Sequence, residues 1–271
     1  MPLNIPGILV PFQLLFQPRL VIPSVIVKDI RHIDFAALKR AGYRGAVFDK
    51  DNCLTIPHED TLVPELRESW KQCREIFGEN NVLIVSNSAG TYLDAGGLQS
   101  ESVGYHLGVP VLQHKSFKPA YSCITAIRTY FSSLRSPILD HELVIVGDRV
   151  FTDVVLANRM GLQAKRSKLI SATSSTEKET ISTEEKELLR PDTSIDLYRG
   201  PLSIWTTGVW KKESMLMRLV ERELVKSVEK WSTPPAGQPF DGSLFVKEVV
   251  KPAPPRKSSL LEILTSRLRR T

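Results

Sequence analysis

Two aspartates one residue apart, Asp49 and Asp51, are the residues of this sequence whose spacing most directly indicates chemistry. They directly follow the apolar run 46–48, which Gly45 precedes, and this pattern is typical of a short buried strand. In open α/β sheets, ligands bind at the carboxyl ends of the strands, where both carboxylates would lie. Two acids this close repel each other unless a proton or a cation lies between them, and a hard cation such as Mg²⁺ takes oxygen ligands. The pair therefore predicts a metal-assisted site, with a solvated turn as the alternative.

Polar residues also follow two other apolar runs. Ser86 and Asn87 come after 82–85, and Asp148 comes after 143–146. Continuous apolar runs of this length are expected of parallel strands that are buried on both faces. If these strands are parallel neighbours, their polar ends meet at one carboxyl edge of the sheet.

Two further residues could join this edge. Lys118 precedes Pro119 at the start of a predicted helix, and Asp153 follows shortly after Asp148. Taken alone, Lys118 is more often a surface lysine and Ser86 a strand-end cap, so the prediction depends on the fold bringing these residues together.

The surrounding pattern predicts the elements that would position them. Strands are expected at 25–27, 109–112 and 203–209 in addition to the three runs above. Helices are expected from Asp34 to Gly42, from Pro64 to Gly78, after Pro119, and over 153–160 with Gly161 as the stop. Strands that alternate with helices predict an α/β fold with a Rossmann-like, doubly wound parallel sheet.

Composition sets broad limits on function. The chain has 271 residues, a net charge of +6 and a pI near 9.2, so phosphates, nucleic acid or anionic lipid are plausible partners. Its three cysteines are widely spaced and include no CxxC pair, which favours neither a disulfide framework nor a zinc site.

The N-terminal segment, residues 1–33, is apolar and interrupted by prolines. Residues 1–28 contain no acid, and no apolar run approaches the roughly 20 residues that a spanning helix needs. We expect this segment either to lie on a membrane surface or to pack across the fold.

The C-terminal part begins with a polar segment at 167–186, which is predicted to be a mobile insertion. A long helix is expected over 213–231. Its predicted apolar face consists of Met217, Val220, Leu224, Val228 and Trp231. The basic stripe beside this face consists of Arg218, Arg222, Lys226 and Lys230. The stripe is either a solvated face or a surface for anionic lipid. Residues 232–271 are interpreted as a Pro-rich linker and a basic amphipathic helix, which would bind lipid, pack on the domain or join subunits into a homo-oligomer.

Together, these signals resemble the haloacid dehalogenase superfamily of phosphotransferases. They are the Asp49-x-Asp51 pair, Ser86 after a strand, Lys118 before Pro119, and Gly147-Asp148 followed by Asp153, and the resemblance covers about 44–161. The segments after the first and second strands are too short for a cap domain, so a capless phosphatase domain over 34–231 is expected. Cys53 departs from the usual Thr or Val of the superfamily without affecting the chemistry.

The resemblance implies a role for each residue. Asp49 would be the nucleophile that forms an aspartyl-phosphate, and Asp51 the general acid and base. Mg²⁺ would be held by Asp49, the main-chain carbonyl of Asp51, and Asp148.

The remaining residues are assigned to the phosphoryl group by the same resemblance. Ser86, Asn87 and Lys118 would bind it, and Asp153 would orient Lys118 or a metal-bound water.

Two stretches indicate a narrower group. The segment 48–54 with Pro57 and His58, together with 203–210, resembles the phosphatidylglycerophosphate phosphatases of fungal mitochondria. That resemblance implies a phospholipid substrate and a step of cardiolipin biosynthesis. It also implies peripheral attachment to an anionic membrane surface at the matrix side of the inner mitochondrial membrane, with no nucleic acid partner expected. The alternatives are a capless phosphatase for a phosphoprotein, a nucleic acid end or a soluble sugar phosphate, and a membrane-bound scaffold without catalysis.

Overall fold

A computed structural model of the chain describes residues 9–164, 200–232 and 241–249. The predicted insertion at 167–186, most of the Pro-rich linker and the predicted C-terminal helix lie outside these residues. Within the described ranges, no helix is both long enough and apolar enough to span a bilayer.

The centre of the fold is a five-stranded sheet in which all neighbouring strands run parallel. The strands are β1 (Val25–Val27), β2 (Gly45–Phe48), β3 (Val82–Ile84), β4 (Leu143–Gly147) and β5 (Leu202–Thr206). Their order is β1-β5-β4-β2-β3, so β2 and β4, which carry the predicted acids, are adjacent inner strands. The predicted Rossmann-like parallel sheet is confirmed.

One predicted strand is wrong. Residues 109–112 form no strand of the sheet, and Val111 makes only an isolated bridge with Ile84.

Helices flank both faces of the sheet. They are α1 (Val10–Leu14), α2 (Phe35–Arg40), α3 (Arg67–Phe77), α4 (Leu98–Leu107), α5 (Tyr121–Ser132) and α7 (Met215–Trp231), with α6 between the last two. The sixth, α6, opens with a π-helical turn, Val150–Val154, and continues as an α-helix over 155–164. As predicted, Asp34 caps α2 by accepting a 2.8 Å hydrogen bond from the amide of Ala37.

Gly161 does not end α6, which corrects the prediction from sequence. The helix continues through it to residue 164. A Cβ at Gly161 would lie 3.1 Å from the Cα of Gly200, in the segment that leads into β5. The glycine therefore allows two backbones to approach closely rather than terminating the helix.

Strand alternation divides the core between the two faces of the sheet. Ala46 and Phe48 of β2 belong to one buried cluster with Trp70 of α3, whereas Val47 belongs to the other with Ile127 of α5. Because successive strand side chains point to opposite faces, each strand contributes to both layers. This two-sided burial explains why the strands read as continuous apolar runs.

The described part of the N-terminal segment, residues 9–33, packs across the fold, which was one of the two alternatives for this segment. Val10 and Leu14 of α1 are buried in a third cluster with Val154 of α6 and with Val225 and Val228 of α7. Phe12, on the opposite side of α1, is exposed, and so are Leu15 and Phe16, which directly follow the helix.

The inward face of α7 differs from the prediction. Its buried residues are Arg218, Glu221, Val225 and Val228. Of the predicted apolar face, Val228 alone is buried and Leu224 is half-buried, whereas Met217, Val220 and Trp231 are exposed. The predicted basic stripe also loses Arg218 to the interior. The cause is electrostatic, because Arg218 and Glu221 pair with charged residues that follow β4.

The segments above the carboxyl edge are short. Residues 49–66 connect β2 to α3, and residues 85–120 connect β3 to α5 and contain α4. Neither of these two fully described segments carries an inserted cap domain. Within the described residues, no inserted domain therefore covers the edge where the predicted site lies.

Candidate active site

Lys118 joins two of the predicted acids at the carboxyl edge. Its Nζ donates hydrogen bonds to Oδ1 of Asp49 at 2.6 Å and to Oδ1 of Asp153 at 2.7 Å. All three side chains are largely buried. Asp49 itself is fixed where β2 ends, because its amide donates to the carbonyl of Val146 on β4 at 2.9 Å. Residues from three separate segments thus converge on one point, as predicted.

Asp148 completes an acidic cluster. One carboxylate oxygen each from Asp49, Asp148 and Asp153 lie within 4.8 Å of one another. Gly147 makes this approach possible, since a Cβ there would lie 2.2 Å from Cγ of Asp153. The glycine before Asp148 is therefore required by the geometry of the cluster.

Burial dominates the electrostatics of this cluster. It raises the pKa of Asp49 well above its usual value, and the charge of Lys118 opposes this rise only in part. The pKa of Asp148 is also raised by burial, with Arg218 opposing. Burial alone would lower the pKa of Lys118, but the carboxylates of Asp153 and Asp49 outweigh it and raise that pKa. The lysine stays charged, and the acids would be stabilised in their ionised form by a further cation.

Asp51 lies at the more open side of the site, with about a third of its side chain exposed (31%). Its Oδ1 accepts a hydrogen bond from Nζ of Lys50 at 2.7 Å and from the amide of His58 at 3.0 Å. Its Oδ2 accepts from Oγ of Ser88 at 3.2 Å. The carboxylate is therefore held in one orientation, close to Asp49 and accessible from solvent.

Lys50 is fully buried although it stands between the two aspartates in the sequence. Its Nζ reaches Asp51 and also donates to the carbonyl of Glu59 at 2.9 Å. This lysine was not identified from sequence. The charged triplet Asp-Lys-Asp was a signal, but nothing in the local pattern predicts that Lys50 turns inward.

Ser86 and Asn87 lie beside this cluster, at the end of β3. Ser86 is buried, and its Oγ lies 2.9 Å from Oγ of Ser88. Asn87 accepts a 2.7 Å hydrogen bond at Oδ1 from the amide of Lys118 and so fixes the segment that presents the lysine. Asn87 thus acts on Lys118 in this structure, a contact that the sequence did not indicate. Ser88 connects Ser86 to Asp51, because its hydroxyl also donates to Oδ2 of Asp51.

A second charged layer reaches the site from α7. Arg218 donates from Nη2 to Oδ2 of Asp148 and from Nη1 to the carbonyl of the same residue. One turn on, the buried carboxylate of Glu221 accepts from Nε of Arg149 at 3.2 Å. Sequence reasoning missed both roles, because these residues are distant from β4 along the chain and the helix carries no local sign of which face is buried.

The donor set fits a hard divalent cation. Arg218 binds Oδ2 of Asp148 and Lys118 binds Oδ1 of Asp49, which leaves one oxygen of each carboxylate for a metal. Both oxygens of Asp153 accept hydrogen bonds, Oδ1 from Lys118 and Oδ2 from Thr152 and Arg149. Asp153 is therefore better placed to orient its neighbours than to bind the ion. The free oxygens of Asp49 and Asp148 are the type of ligand that Mg²⁺ prefers.

The chain is similar in sequence to known phosphatases. The chain is 40% identical over 161 residues to the chloroplastic and mitochondrial phosphatidylglycerophosphate phosphatase 1 of Arabidopsis thaliana, covering 59% of this chain and 44% of that protein. It is 35% identical over 159 residues to the mitochondrial phosphatidylglycerophosphatase of Saccharomyces cerevisiae, covering 59% of this chain and 84% of that protein.

A more distant relative is also similar to part of the chain. A probable phosphatase of Bacillus subtilis is 30% identical over 141 residues, covering 52% of this chain and 73% of that protein. No solved structure matches the chain. The model of the mitochondrial PGP phosphatase family matches residues 5–167, which include every acid of the cluster. The chain therefore belongs to the mitochondrial PGP phosphatase family.

Proposed function

We propose that this protein is a Mg²⁺-dependent phosphatidylglycerophosphatase, which hydrolyses phosphatidylglycerophosphate to phosphatidylglycerol and phosphate. The proposed activity is inferred from the family to which the chain belongs. The observation that supports it in this chain is the pair of hydrogen bonds from Lys118 to Asp49 and Asp153. A lysine and a cation together would offset the charge of a phosphate monoester, which otherwise repels an anionic nucleophile.

Asp49 would be the nucleophile. Its carboxylate attacks phosphorus, the ester P–O bond breaks, and an aspartyl-phosphate forms as the lipid alkoxide leaves. Lys118 holds one oxygen of Asp49, so the attacking carboxylate has a fixed direction.

Asp51 would transfer the protons. It protonates the leaving alkoxide and then accepts a proton from the water that hydrolyses the aspartyl-phosphate, which releases phosphate and restores Asp49. Lys50 and Ser88 hold its two oxygens and keep it directed at the site. Its partial exposure supports this role, because the lipid alkoxide and the water must both reach it.

The other side chains at the edge would bind the phosphoryl group and the metal. Mg²⁺, when bound, would neutralise charge on the phosphoryl oxygens, and Asp49, Asp148 and the main-chain carbonyl of Asp51 would hold it. Ser86 and Lys118 would bind the phosphoryl oxygens. Asn87 would support Lys118 from behind, and Asp153 would keep that lysine directed at Asp49.

The open edge supports a substrate that is displayed on a large surface. A headgroup phosphate of a bilayer needs no cap domain around it, and short segments leave the entrance accessible. We place the enzyme at the matrix side of the inner mitochondrial membrane as a peripheral protein that acts in cardiolipin biosynthesis. The relatives with mitochondrial names support the organelle.

The test is phosphate release from a panel of monoesters by the purified protein, with Mg²⁺ and with a chelator. The panel contains phosphatidylglycerophosphate, phosphatidic acid, a phosphopeptide, a 5′-phosphorylated oligonucleotide and a sugar phosphate. We expect Mg²⁺-dependent release with the highest kcat/KM on phosphatidylglycerophosphate. A higher kcat/KM on a soluble monoester would replace the lipid substrate, and no release from any of them would favour a non-catalytic scaffold.

A further inference from the structure

The first two turns of α7 expose apolar side chains while they bury charged ones. Five large apolar residues there are between 45% and 77% exposed, namely Met215, Leu216, Met217, Leu219 and Val220. Arg218, between them, is buried. Apolar residues this close together on a surface indicate an interaction site rather than scattered exposure. We call these five residues the α7 patch.

The α7 patch lies at the entrance of the proposed active site. Arg218, which lies between the patch residues in the sequence, pairs with Asp148. The carboxylate of Glu213, just before the helix, lies 3.8 Å from His58. The amide of His58 in turn donates to Asp51. Asn52, next to Asp51, accepts hydrogen bonds at Oδ1 from the amides of Trp210 and Lys211 at 3.1 and 3.0 Å. The start of α7 is therefore fixed to both aspartate-bearing segments.

The exposed side of α1 is a second apolar surface near the same edge. It is formed by Phe12 of the helix, by Leu9 just before it, and by Leu15 and Phe16 just after it, at 53–86% exposure. Gln13 of this helix accepts hydrogen bonds from Arg159 at 2.6 and 2.9 Å, and Arg159 also donates to the carbonyl of Pro119, the residue after Lys118. This helix is thus anchored beside the segment that presents the lysine.

The charges around the α7 patch favour an anionic lipid surface as its occupant. Lys211, Lys212 and Arg222 are exposed before and after the patch, and Glu213 and Glu223 offset them only in part. Amphipathic elements with basic flanks bind at the interface of anionic bilayers, where their apolar side chains enter the acyl boundary. The proposed substrate is itself an anionic lipid whose headgroup must reach Asp49.

We infer that the α7 patch, together with the exposed side of α1, is the surface that docks on the bilayer and brings headgroups to the active site. This inference rests on the proposed lipid substrate and deepens it by assigning the contact surface. Docking and catalysis are linked physically, because Arg218 and its neighbours on the patch belong to the same helix turns. The bilayer would form the outer wall of a site over which the described residues place no cap domain.

The experiment compares one double variant with one control variant in the full chain. L216S with L219S removes apolar area from the α7 patch. L139S is the matched control, because Leu139 is 54% exposed but lies just before β4, at the opposite edge of the sheet. Each protein is measured for flotation with vesicles of phosphatidylcholine and phosphatidylglycerol, and for turnover of vesicle-embedded and short-chain, monomeric phosphatidylglycerophosphate.

We expect the double variant to bind the vesicles at least about tenfold more weakly. Replacing two leucines by serine removes the transfer free energy that their apolar side chains contribute to vesicle binding. Its kcat/KM on embedded substrate should fall by a similar factor, whereas turnover of the monomeric substrate and the behaviour of L139S stay unchanged. Vesicle binding equal to wild type would overturn the inference, and so would an equal loss on both substrates. A shift of the variant from dimer to monomer without vesicles would assign the patch to a second copy of the chain instead.

Failure of the proposed function gives a different result. If the wild type binds vesicles through the patch but hydrolyses neither form of the lipid, the docking surface stands and the assigned substrate is wrong.

Discussion

Arg218 of α7 binds the carboxylate and the carbonyl of Asp148, although 70 residues separate the two along the chain. Asp148 directly follows β4 and lies within the part that matches the family, residues 5–167, whereas Arg218 lies outside it. The charge balance of the acidic cluster therefore depends on a helix that the family match does not include. Three acids face two cations, Lys118 and Arg218, before any metal binds.

Replacing Arg218 by Met should destabilise the protein by about 3–5 kcal/mol in the presence of a chelator. The substitution leaves the Asp148 carboxylate buried without its cation, which is the costly way to break a buried pair. Added Mg²⁺ should restore part of the loss, because a cation at the cluster again neutralises the acid. Denaturant unfolding with and without Mg²⁺ measures both effects.

The matched control for this prediction is Arg222→Met, one turn further along α7. Arg222 is exposed and makes a single 3.3 Å hydrogen bond to the carbonyl of Thr207, so its loss should change stability by less than about 1 kcal/mol. Equal effects of the two substitutions would show that the Asp148 pair carries no special weight.

Asp49→Asn should lower phosphate release by about 10³-fold or more, because the amide cannot act as the nucleophile. The side chain keeps its size, and Oδ1 can still accept from Lys118, so the fold and vesicle binding should stay at wild-type levels. Phosphate release and vesicle flotation are measured on the same preparation. Asp140→Asn, at the opposite edge beside Arg128, serves as the control, and activity of Asp49→Asn near wild type would refute the nucleophile assignment.

Mg²⁺ should raise the melting temperature of the wild type, and Asp148→Asn should remove most of that increase. A ligand at 100 times its Kd adds about 2.7 kcal/mol to the free energy of unfolding. Asp148 supplies one of the clustered oxygens, so the asparagine variant should bind the ion more weakly. Thermal unfolding over a Mg²⁺ titration measures this without any substrate. An unchanged Mg²⁺ response in Asp148→Asn would place the ion elsewhere.

Asp29 provides a test of pH dependence away from the site. Burial alone would raise its pKa, but the bidentate contact of Arg31, at 2.8 and 2.9 Å, outweighs burial and holds the pKa below its usual value. A lowered carboxyl pKa stabilises the fold above the unfolded value, near pH 4, and this contribution is lost as the pH falls through the folded pKa.

Asp29→Asn should therefore be less stable than the wild type by about 1.5–3 kcal/mol at pH 7. The difference should shrink as the pH is lowered below about 4. Denaturant unfolding of both proteins between pH 3 and 7 tests this, and a difference that stays constant across that range would contradict the role of the ionised carboxylate.

The sequence predicted most of the sheet and the core of the site because both follow local patterns. Apolar runs that end in Asp49, Ser86 and Asp148 mark strands and their carboxyl ends at the same time. Parallel pairing then brings those ends together at one edge of the sheet. Lys118 lies on no strand, so its place beside them was expected from the resemblance and not from strand order. The matched family accounts for the roles proposed for these residues.

The prediction for α7 failed because two competing patterns share one helix. Its apolar residues recur at steps of three and four, which favours burying Met217 and Val220. The structure buries Arg218 and Glu221 instead, since Asp148 and Arg149 provide partners for them. Such partners are distant in sequence. Periodicity alone therefore could not predict that paired charged side chains of α7 are buried in preference to apolar ones.

The position of β5 has a consequence for how the chain acquires its structure. Within the described residues, β1 pairs with β5 alone, in a register that joins Val25 to Ile204, and β5 separates β1 from β4. The strand formed by residues 25–27 therefore has no place in the sheet until residue 206 has left the ribosome. Assembly of this edge waits for a strand about 180 residues further along the chain, and closing so long a loop slows folding. Until then, β4 is an open edge on which another chain could pair, which makes this interval the one in which a chaperone would matter most.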